Sequence, residues 1–344
     1  MQVNFPLDME ILEQTEEIRR AIINRLSKRK SPILIISGST KSYTYAKKLC
    51  AGLDAEIVSH TKLERFDVHN VYLMEKLLRR ESIKIIIGIG GGTVADFSKR
   101  LALTANVELF LVPTIIANDG LISPIAVLRE NGYSISLPGK MPDSVFIDLS
   151  VIKDAPVHYL EAAACDIISN ISATNDWERS TSGESGRTHH LALQLSRMAA
   201  YQVLDCREWG IDSPVFLRAI VYGQMLSGIT MALAGSSRPC SGSEHLISHA
   251  IDALGLANEI LHGKKVGITS RFCLSLQGIV DERLEYFFEF FKIKKDFPGC
   301  DQFSNEELQK VFSKARIMRP GRTSIIDQFS DLELVLKYRD YISS

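Results

Sequence analysis

The stretch from Ile83 to Ile89 constrains this chain more than any other. Ile83, Ile85, Ile86, Ile87 and Ile89 put β-branched apolar side chains on both faces of a strand. A strand without a polar face belongs inside a parallel sheet covered by helices on both sides. Glycines follow at once, in the run Gly88-Ile89-Gly90-Gly91-Gly92-Thr93-Val94-Ala95-Asp96, and a helical pattern continues from Val94 to Leu103. Glycines at such a junction let backbone N–H groups approach a ligand closely. The helix N-terminus adds partial positive charge, so a pyrophosphate is the natural guest. A close-packed strand-to-helix turn without a ligand is the competing reading. The run is not a clean G-x-G-x-x-G fingerprint, and no Gly-Lys-Ser/Thr ending makes it a P-loop.

Other elements fall around this one. Short apolar runs at Ile33 to Ser37, Glu56 to Val58, Leu109 to Val112 and Ser144 to Ile147 predict further strands, with helical segments at Val71 to Arg80 and up to about Cys50. Residues 8 to 28 carry Leu and Ile at helical spacing and predict one opening amphipathic helix. Alternating strands and helices argue for an open α/β sheet with right-handed crossovers. After about Asp154 the pattern changes. Helices are expected at Tyr159 to Thr174, His189 to Asp205, Pro214 to Ala234, Ser243 to Leu254 and Gly263 to Leu276, with no further strand. The 344 residues suit two cores rather than one. The expected organisation is an α/β dinucleotide-binding domain over residues 1 to 154 and an all-α metal- and substrate-binding domain over residues 155 to 344. The cleft between the domains is the expected site.

Bulk chemistry excludes some partners. A formal net charge of −1 gives no field to draw the chain onto nucleic acid or anionic lipid. No apolar stretch reads as long enough to insert in a membrane, and Met1 to Glu17 lacks the basic start and apolar core of a secretory leader. Cys50, Cys165, Cys206, Cys240, Cys273 and Cys300 show no C-x-x-C spacing, which fits buried thiols in a reducing cytoplasm.

The helical half carries its own chemistry. In Ser241-Gly242-Ser243-Glu244-His245-Leu246-Ile247-Ser248-His249, Ser241 and Glu244 have capping-box spacing. His245 and His249 share one helix face, with Asp252 close to it. His262 precedes Gly263 at the start of the next expected helix. Asp166 sits among small apolar residues in Ala162-Ala163-Ala164-Cys165-Asp166. Two imidazoles and one carboxylate make a catalytic divalent-metal set with positions left for a substrate oxygen. Spacing alone equally allows a capping or core histidine and an exposed helical acid. His189 and His190 point in two directions and read as surface.

Taken in order, these segments resemble the sn-glycerol-1-phosphate dehydrogenase family, within the superfamily of glycerol dehydrogenase, iron-containing alcohol dehydrogenases and dehydroquinate synthase. The likeness runs through G-I-G-G-G-T-V-A-D, V-P-T-I-I-A-N-D-G-L-I-S-P, A-C-D-I-I-S-N, S-G-S-E-H-L-I-S-H-A-I-D, L-H-G-K-K-V-G and R-P-G-R-T-S-I-I, spanning about residues 33 to 326. The resemblance implies a dehydroquinate synthase-like fold and reduction of dihydroxyacetone phosphate by NAD(H) or NADP(H), in an enzyme of lipid biosynthesis. It implies dinucleotide contacts at Gly90, Gly91, Gly92, Thr93, Val94, Ala95 and Asp96, at Thr114, Ile115, Ile116 and Ala117, and at Ser123. It implies a divalent metal, zinc, on Asp166, His245 and His262. Asp119, Asp166 and His249 are expected at the substrate, with Asp119 and His249 in catalytic roles, and a proton is expected to arrive through water or through His249, whose unperturbed pKa lies near neutrality. A homo-oligomer is expected from the same resemblance. Asn118 stands where many relatives have His, and Ala117 where many have Ser. Lys264, Lys265 and Arg238 are candidates for the substrate phosphate. Competing readings are a polyol dehydrogenase acting on an unphosphorylated substrate, dehydroquinate synthase chemistry, and a non-catalytic dinucleotide- and metal-binding protein.

Overall fold

The computed structural model describes residues 8–27, 31–51, 57–62, 65–130, 133–180, 189–206, 208, 210–257, 259–297 and 303–343. The chain divides into two compact units, Met1–Pro156 and Val157–Ser344.

The first unit runs β1 (Asp8–Leu12), α1 (Thr15–Leu26), β2 (Ile33–Ser37), α2 (Lys41–Cys50), β3 (Ile57–Lys62), α3 (Val68–Arg80), β4 (Ile85–Gly90), α4 (Gly92–Ala105), β5 (Glu108–Pro113), β6 (Ile125–Glu130), β7 (Tyr133–Pro138), β8 (Ser144–Asp148) and α5 (Leu149–Lys153). Its main sheet has the order β1-β8-β5-β4-β2-β3, and every pairing in it is parallel. The isoleucine-rich run is a central strand, as its apolar faces require, and all six residues of β4 are buried. One face of the sheet packs Ile35, Ile87, Phe110 and Phe146 against Ile18 and Ile22 of α1. From β2 the chain goes first to β3 on one side and then to β4 on the other. The loops after β2 and β4 therefore flank the point where strand order reverses, the place where open α/β sheets take ligands.

Two local expectations fail in this unit. The opening segment is not one helix: Asp8–Leu12 is a strand paired with β8, and the helix begins only at Thr15. Pairing along the sheet edge outweighs the helical spacing of a few apolar residues. The antiparallel hairpin of β6 and β7 was not anticipated. Val127 and Arg129 alternate outward while Ala126 and Leu128 are buried, the period of a half-covered strand.

The second unit is helical, with α6 (Val157–Ile168), α7 (Asn170–Arg179), α8 (His190–Asp205), α9 (Pro214–Ala234), α10 (Ser243–Ala253), α11 (His262–Gln277), α12 (Glu282–Phe290), α13 (Asn305–Ile317) and α14 (Asp331–Ser343). The expected single helix from Tyr159 to Thr174 is two helices. Ser169 separates them, and its hydroxyl donates to the Asp166 carbonyl at 2.6 Å, competing with the continuing helical pattern. Helix α9 corrects the reading that no apolar stretch has spanning length. It is 21 residues long and apolar enough to cross a membrane by length and composition, with 72% of the relevant window buried. It packs against α6 and α8 and uses buried polar groups inside the unit, among them Gln224, which donates to the Ala163 carbonyl at 3.2 Å. Those are the features of a core helix.

Candidate functional sites in the two units

In the first unit the glycine run is built for close approach rather than for unusual backbone angles. None of its glycines has a positive φ. A Cβ on Gly88 would come within 2.5 Å of the Ser98 hydroxyl, and one on Gly90 within 2.5 Å of Val94. These two glycines let α4 lie directly against the strand that precedes it. Gly92 differs, because a Cβ there would meet nothing within 4 Å. Gly92 and Thr93 are exposed in the first turn of α4, where N–H groups lack helical partners. Val94 and Ala95 are buried behind them. The next loop is tied to the turn, since Thr114 N donates to the Gly90 carbonyl at 3.0 Å. Thr114, Ile115 and Ala117 are half-buried and Ile116 is buried.

The Asp119 side chain lies outside the described residues; its backbone opens a short 3-10 turn, Asp119–Leu121. Asn118 caps that turn by accepting from Gly120 N at 3.0 Å. Ser123 is buried, with its hydroxyl directed to the carbonyls of Gly120 and Ile125. A residue that sequence reasoning missed organises this loop. Lys99, fully buried on α4, pairs with Asp96 at 2.8 Å and donates to the carbonyls of Gly120 and Ile125. Burial raises the Asp96 pKa, and the Lys99 ammonium opposes the rise. Asp96 is thus committed to an ion pair inside the unit. An Asp-x-x-Lys spacing at the start of a helix is the signal that could have found it.

In the second unit, residues far apart in sequence converge. Gly263 at the start of α11 makes this possible, because a Cβ there would stand 2.1 Å from the Ala162 carbonyl oxygen. One turn later, a Cβ on Gly267 would meet the Cys165 Cβ at 2.8 Å. The two glycines seat α11 on the small residues of α6, bringing His262 beside Asp166. Helix α10 packs on α11 and carries His245 and His249. Ring centroids lie 5.3 Å apart for His245 and His262, 5.4 Å for His249 and His262, and 6.0 Å for His245 and His249.

Potential ligand atoms of Asp166, His245 and His262 lie within 4.8 Å of one another, and so do those of His249, Asp252 and His262. His245 Nε2 is 3.5 Å from Asp166 Oδ1, while His245 Nδ1 is 3.0 Å from Glu244 Oε1. Asp252 is ion-paired with the buried Lys265. That cation disfavours the second grouping as a place for another cation.

The imidazoles differ sharply in charge preference. Burial pushes His245 down, but hydrogen bonds and negative charge from Asp166 and Glu244 prevail and lift it to about 10. Burial lowers His262 to about 4, with Asp166 opposing the shift. His249 is lowered well below its ordinary value, by burial first and then by the positive charge of His262, His245, Arg319 and Lys265. The His249 imidazole is therefore held neutral, away from its unperturbed value near neutrality.

The phosphate candidates are otherwise engaged. Lys264 pairs with Glu161 at 2.7 Å, Lys265 with Asp252, and Arg238 donates to the Thr323 carbonyl at 2.9 Å. The capping-box reading of Ser241 and Glu244 is also corrected. Glu244 Oε1 accepts from Gly242 N at 2.6 Å, and the Ser241 hydroxyl lies 3.3 Å from the Arg322 guanidinium instead. His189 caps α8 and is exposed, as is His190.

A parallel α/β unit is followed by a helical unit with a histidine–carboxylate cluster, and the family pattern of iron-containing alcohol dehydrogenases matches residues 14–156, within the first unit. The fold is shared with a probable glycerol dehydrogenase from Sinorhizobium meliloti at 18% identity and a TM-score of 0.78, covering 99% of this chain and 98% of that one. Within the class, the chain is 31% identical to a glycerol-1-phosphate dehydrogenase [NAD(P)+] of Thermoplasma volcanium, covering 95% of this chain and 93% of the relative. It is 35% identical to the protein of the same name from Pyrococcus furiosus, covering 72% of each. The chain belongs to the glycerol-1-phosphate dehydrogenase family.

Proposed function

We propose that this protein is an NAD(P)-linked, metal-dependent dehydrogenase that interconverts dihydroxyacetone phosphate and sn-glycerol 1-phosphate. The observation that carries the reading is the convergence of Asp166, His245 and His262, in a chain of this family, on a point beside the neutral His249. One carboxylate oxygen and two imidazole nitrogens are a donor set suited to zinc, with room for a substrate oxygen. A neutral imidazole is the form that can ligate, and His262 is held in that form.

A divalent ion held by those residues supplies Lewis-acid polarisation of the carbonyl, and the reduced dinucleotide supplies the hydride. The remaining work belongs to the chain. The exposed first turn of α4, at Gly92 and Thr93, offers N–H groups to a pyrophosphate, with Thr114 to Ala117 alongside. Val94 and Ala95 contribute there by packing α4. Asp96 and Ser123 contribute by holding their own loop, and Asp119 is assigned to the substrate by family resemblance. His249, kept neutral, offers one N–H and one lone pair to the substrate hydroxyls. Arg319 and Lys265 both place positive charge on His249. With Lys265 tied to Asp252, Arg319 is the better candidate for the substrate phosphate. The loop after β2, Ser37 to Thr40, carries no acid to repel a 2′-phosphate, which supports use of NADP(H) as well as NAD(H). Exposed Leu191, Met198 and Tyr222 on α8 and α9 favour a homo-oligomer, and a cytoplasmic setting suits the free thiols.

Zinc-loaded protein given dihydroxyacetone phosphate is expected to consume NADH or NADPH, and Asp166→Ala and His262→Ala are expected to lose both zinc and turnover. Turnover of glycerol at the rate of glycerol 1-phosphate, or full activity in both variants, would sink the proposal.

A further inference from the structure

We infer that Glu244 is a positioning residue that fixes the orientation and tautomer of His245 and thereby sets the affinity of the site for its divalent ion. The inference rests on the metal reading above and concerns a residue outside the ligand set.

Glu244 is fully buried, and every partner of its carboxylate is a donor. Gly242 N donates to Oε1 at 2.6 Å, and Ser172 Oγ donates to Oε2 at 2.8 Å. His245 Nδ1 lies 3.0 Å from Oε1. A carboxylate in this setting accepts, so the proton of His245 is held on Nδ1. Nε2, the nitrogen 3.5 Å from Asp166 Oδ1, is then the ring atom that faces the pocket and would take an ion in place of a proton. A carboxylate oxygen and an imidazole nitrogen thus face each other inside a buried pocket, a donor pair suited to a divalent ion. A carboxylate behind an imidazole also makes the ring a stronger donor.

The surroundings keep Glu244 from adapting. A Cβ on Gly242 would stand 2.9 Å from Glu244 Oε2 and 2.8 Å from the Ala173 Cα, so α10 begins tight against α7. Thr269 of α11 donates to the Glu244 carbonyl at 2.8 Å. Asp176, likewise buried, accepts from Ser243 N at 2.7 Å, Ile325 N at 2.9 Å and Gln277 Nε2 at 2.9 Å. Gln277 Nε2 also reaches the Ser172 carbonyl at 3.0 Å. The first turn of α10 is therefore clamped from α7, α11 and the segment at Ile325. No Lys or Arg is ion-paired with Glu244 among the described residues, so no basic side chain competes with His245 for it.

The test compares Glu244→Gln with wild type by chelator competition for Zn²⁺ and by thermal unfolding of the zinc-free protein. Gln keeps an acceptor for Gly242 N and His245 Nδ1, and its amide can donate to Ser172, so the fold is retained while the charge is removed. Zinc affinity is expected to fall by roughly 10- to 100-fold, with little change in the zinc-free unfolding midpoint. Unchanged affinity, with or without a lowered midpoint, overturns the inference and leaves Glu244 a packing residue. Ser172→Ala provides a second arm that keeps the charge and loosens its anchor. A severalfold loss of affinity is expected there, and should Glu244→Gln fail to fold, wild-type affinity in Ser172→Ala overturns the inference. Asp166→Ala, measured in parallel, separates the two levels. If it still binds zinc like wild type, the metal reading itself has failed. If it loses zinc while Glu244→Gln does not, only the role of Glu244 has failed.

Discussion

The two units solve the same problem, placing helices unusually close to their neighbours, with the same residue at different range. In the first unit, Gly88 and Gly90 let α4 fold back on the strand that immediately precedes it. The contact is local, and the turn follows directly from the sequence. In the second unit, Gly263 and Gly267 seat α11 on α6, a helix nearly a hundred residues earlier in the chain. There the histidine–carboxylate cluster depends on a long-range contact that no local pattern reveals.

Enlarging the two kinds of glycine should separate the units most strongly. Gly263→Val drives a side chain into the Ala162 carbonyl. Zinc binding is expected to vanish and stability in urea to drop by about 3 kcal/mol, with dinucleotide affinity retained. Loss of dinucleotide binding along with zinc would contradict the separation. In the first unit, Lys99→Met strips Asp96 of its cation and frees the loop at Gly120. A cost of roughly 3 kcal/mol is expected, together with weakened dinucleotide binding, both readable from denaturation and NADH fluorescence titrations.

A finer contrast lies within the glycine run. Gly90→Ala meets Val94 and should lower stability by about 1 kcal/mol or more. A Cβ on Gly92 meets nothing within 4 Å, so Gly92→Ala should leave the unfolding midpoint nearly unchanged while weakening NADH binding. Equal effects of the two substitutions on binding would argue that the exposed turn holds no ligand.

The smallest expected effects concern two buried carboxylates, one in each unit, that respond to pH with opposite sign. Burial raises Asp148, but hydrogen bonds from Ser150, Thr15, Tyr45 and Val151 outweigh it and the net pKa is lowered. Its stabilisation is complete above the unfolded value of about 4 and is lost as pH falls through the lower folded value. Asp176 is raised to about 6 by burial and by the charge of Glu244. Its contribution is complete below about pH 4 and is lost as pH rises through about 6. Urea melts across this range should show Asp148→Asn flattening the acid limb and Asp176→Asn flattening the limb between pH 4 and 6. Identical pH profiles for both variants would remove the contrast.

The legibility of the chain follows the same division. The central strands and the glycine turn could be read because Ile-rich strands and turn glycines act locally. Asp8–Leu12 was misread because an edge strand with mixed exposure has no clean period of its own. The β6–β7 hairpin had a signal that went unused, since Asn131-Gly132 stands between two alternating segments. In the helical unit His245 and His249 were placed on one face by spacing. Their partner Glu244 was hidden by a capping-box reading with Ser241, whereas its carboxylate accepts from the Gly242 backbone. Asp166 could be recognised as unusual from its apolar neighbours, but its pairing with α11 depends on Gly263. Helices α12, α13 and α14 were missed, with their apolar positions spread among many charges.

The edge strand has a consequence for biosynthesis. The first described residues pair along the sheet with β8, the last strand of their unit. During translation, β1 emerges early and finds its partner only after residues 144 to 148 leave the ribosome, a delay on the order of ten seconds. Through that interval its apolar residues, Ile11 on one face and Leu12 on the other, are open to chaperones and to neighbouring nascent chains. Closure of the sheet at its β1 end is therefore timed by the arrival of its most distant strand.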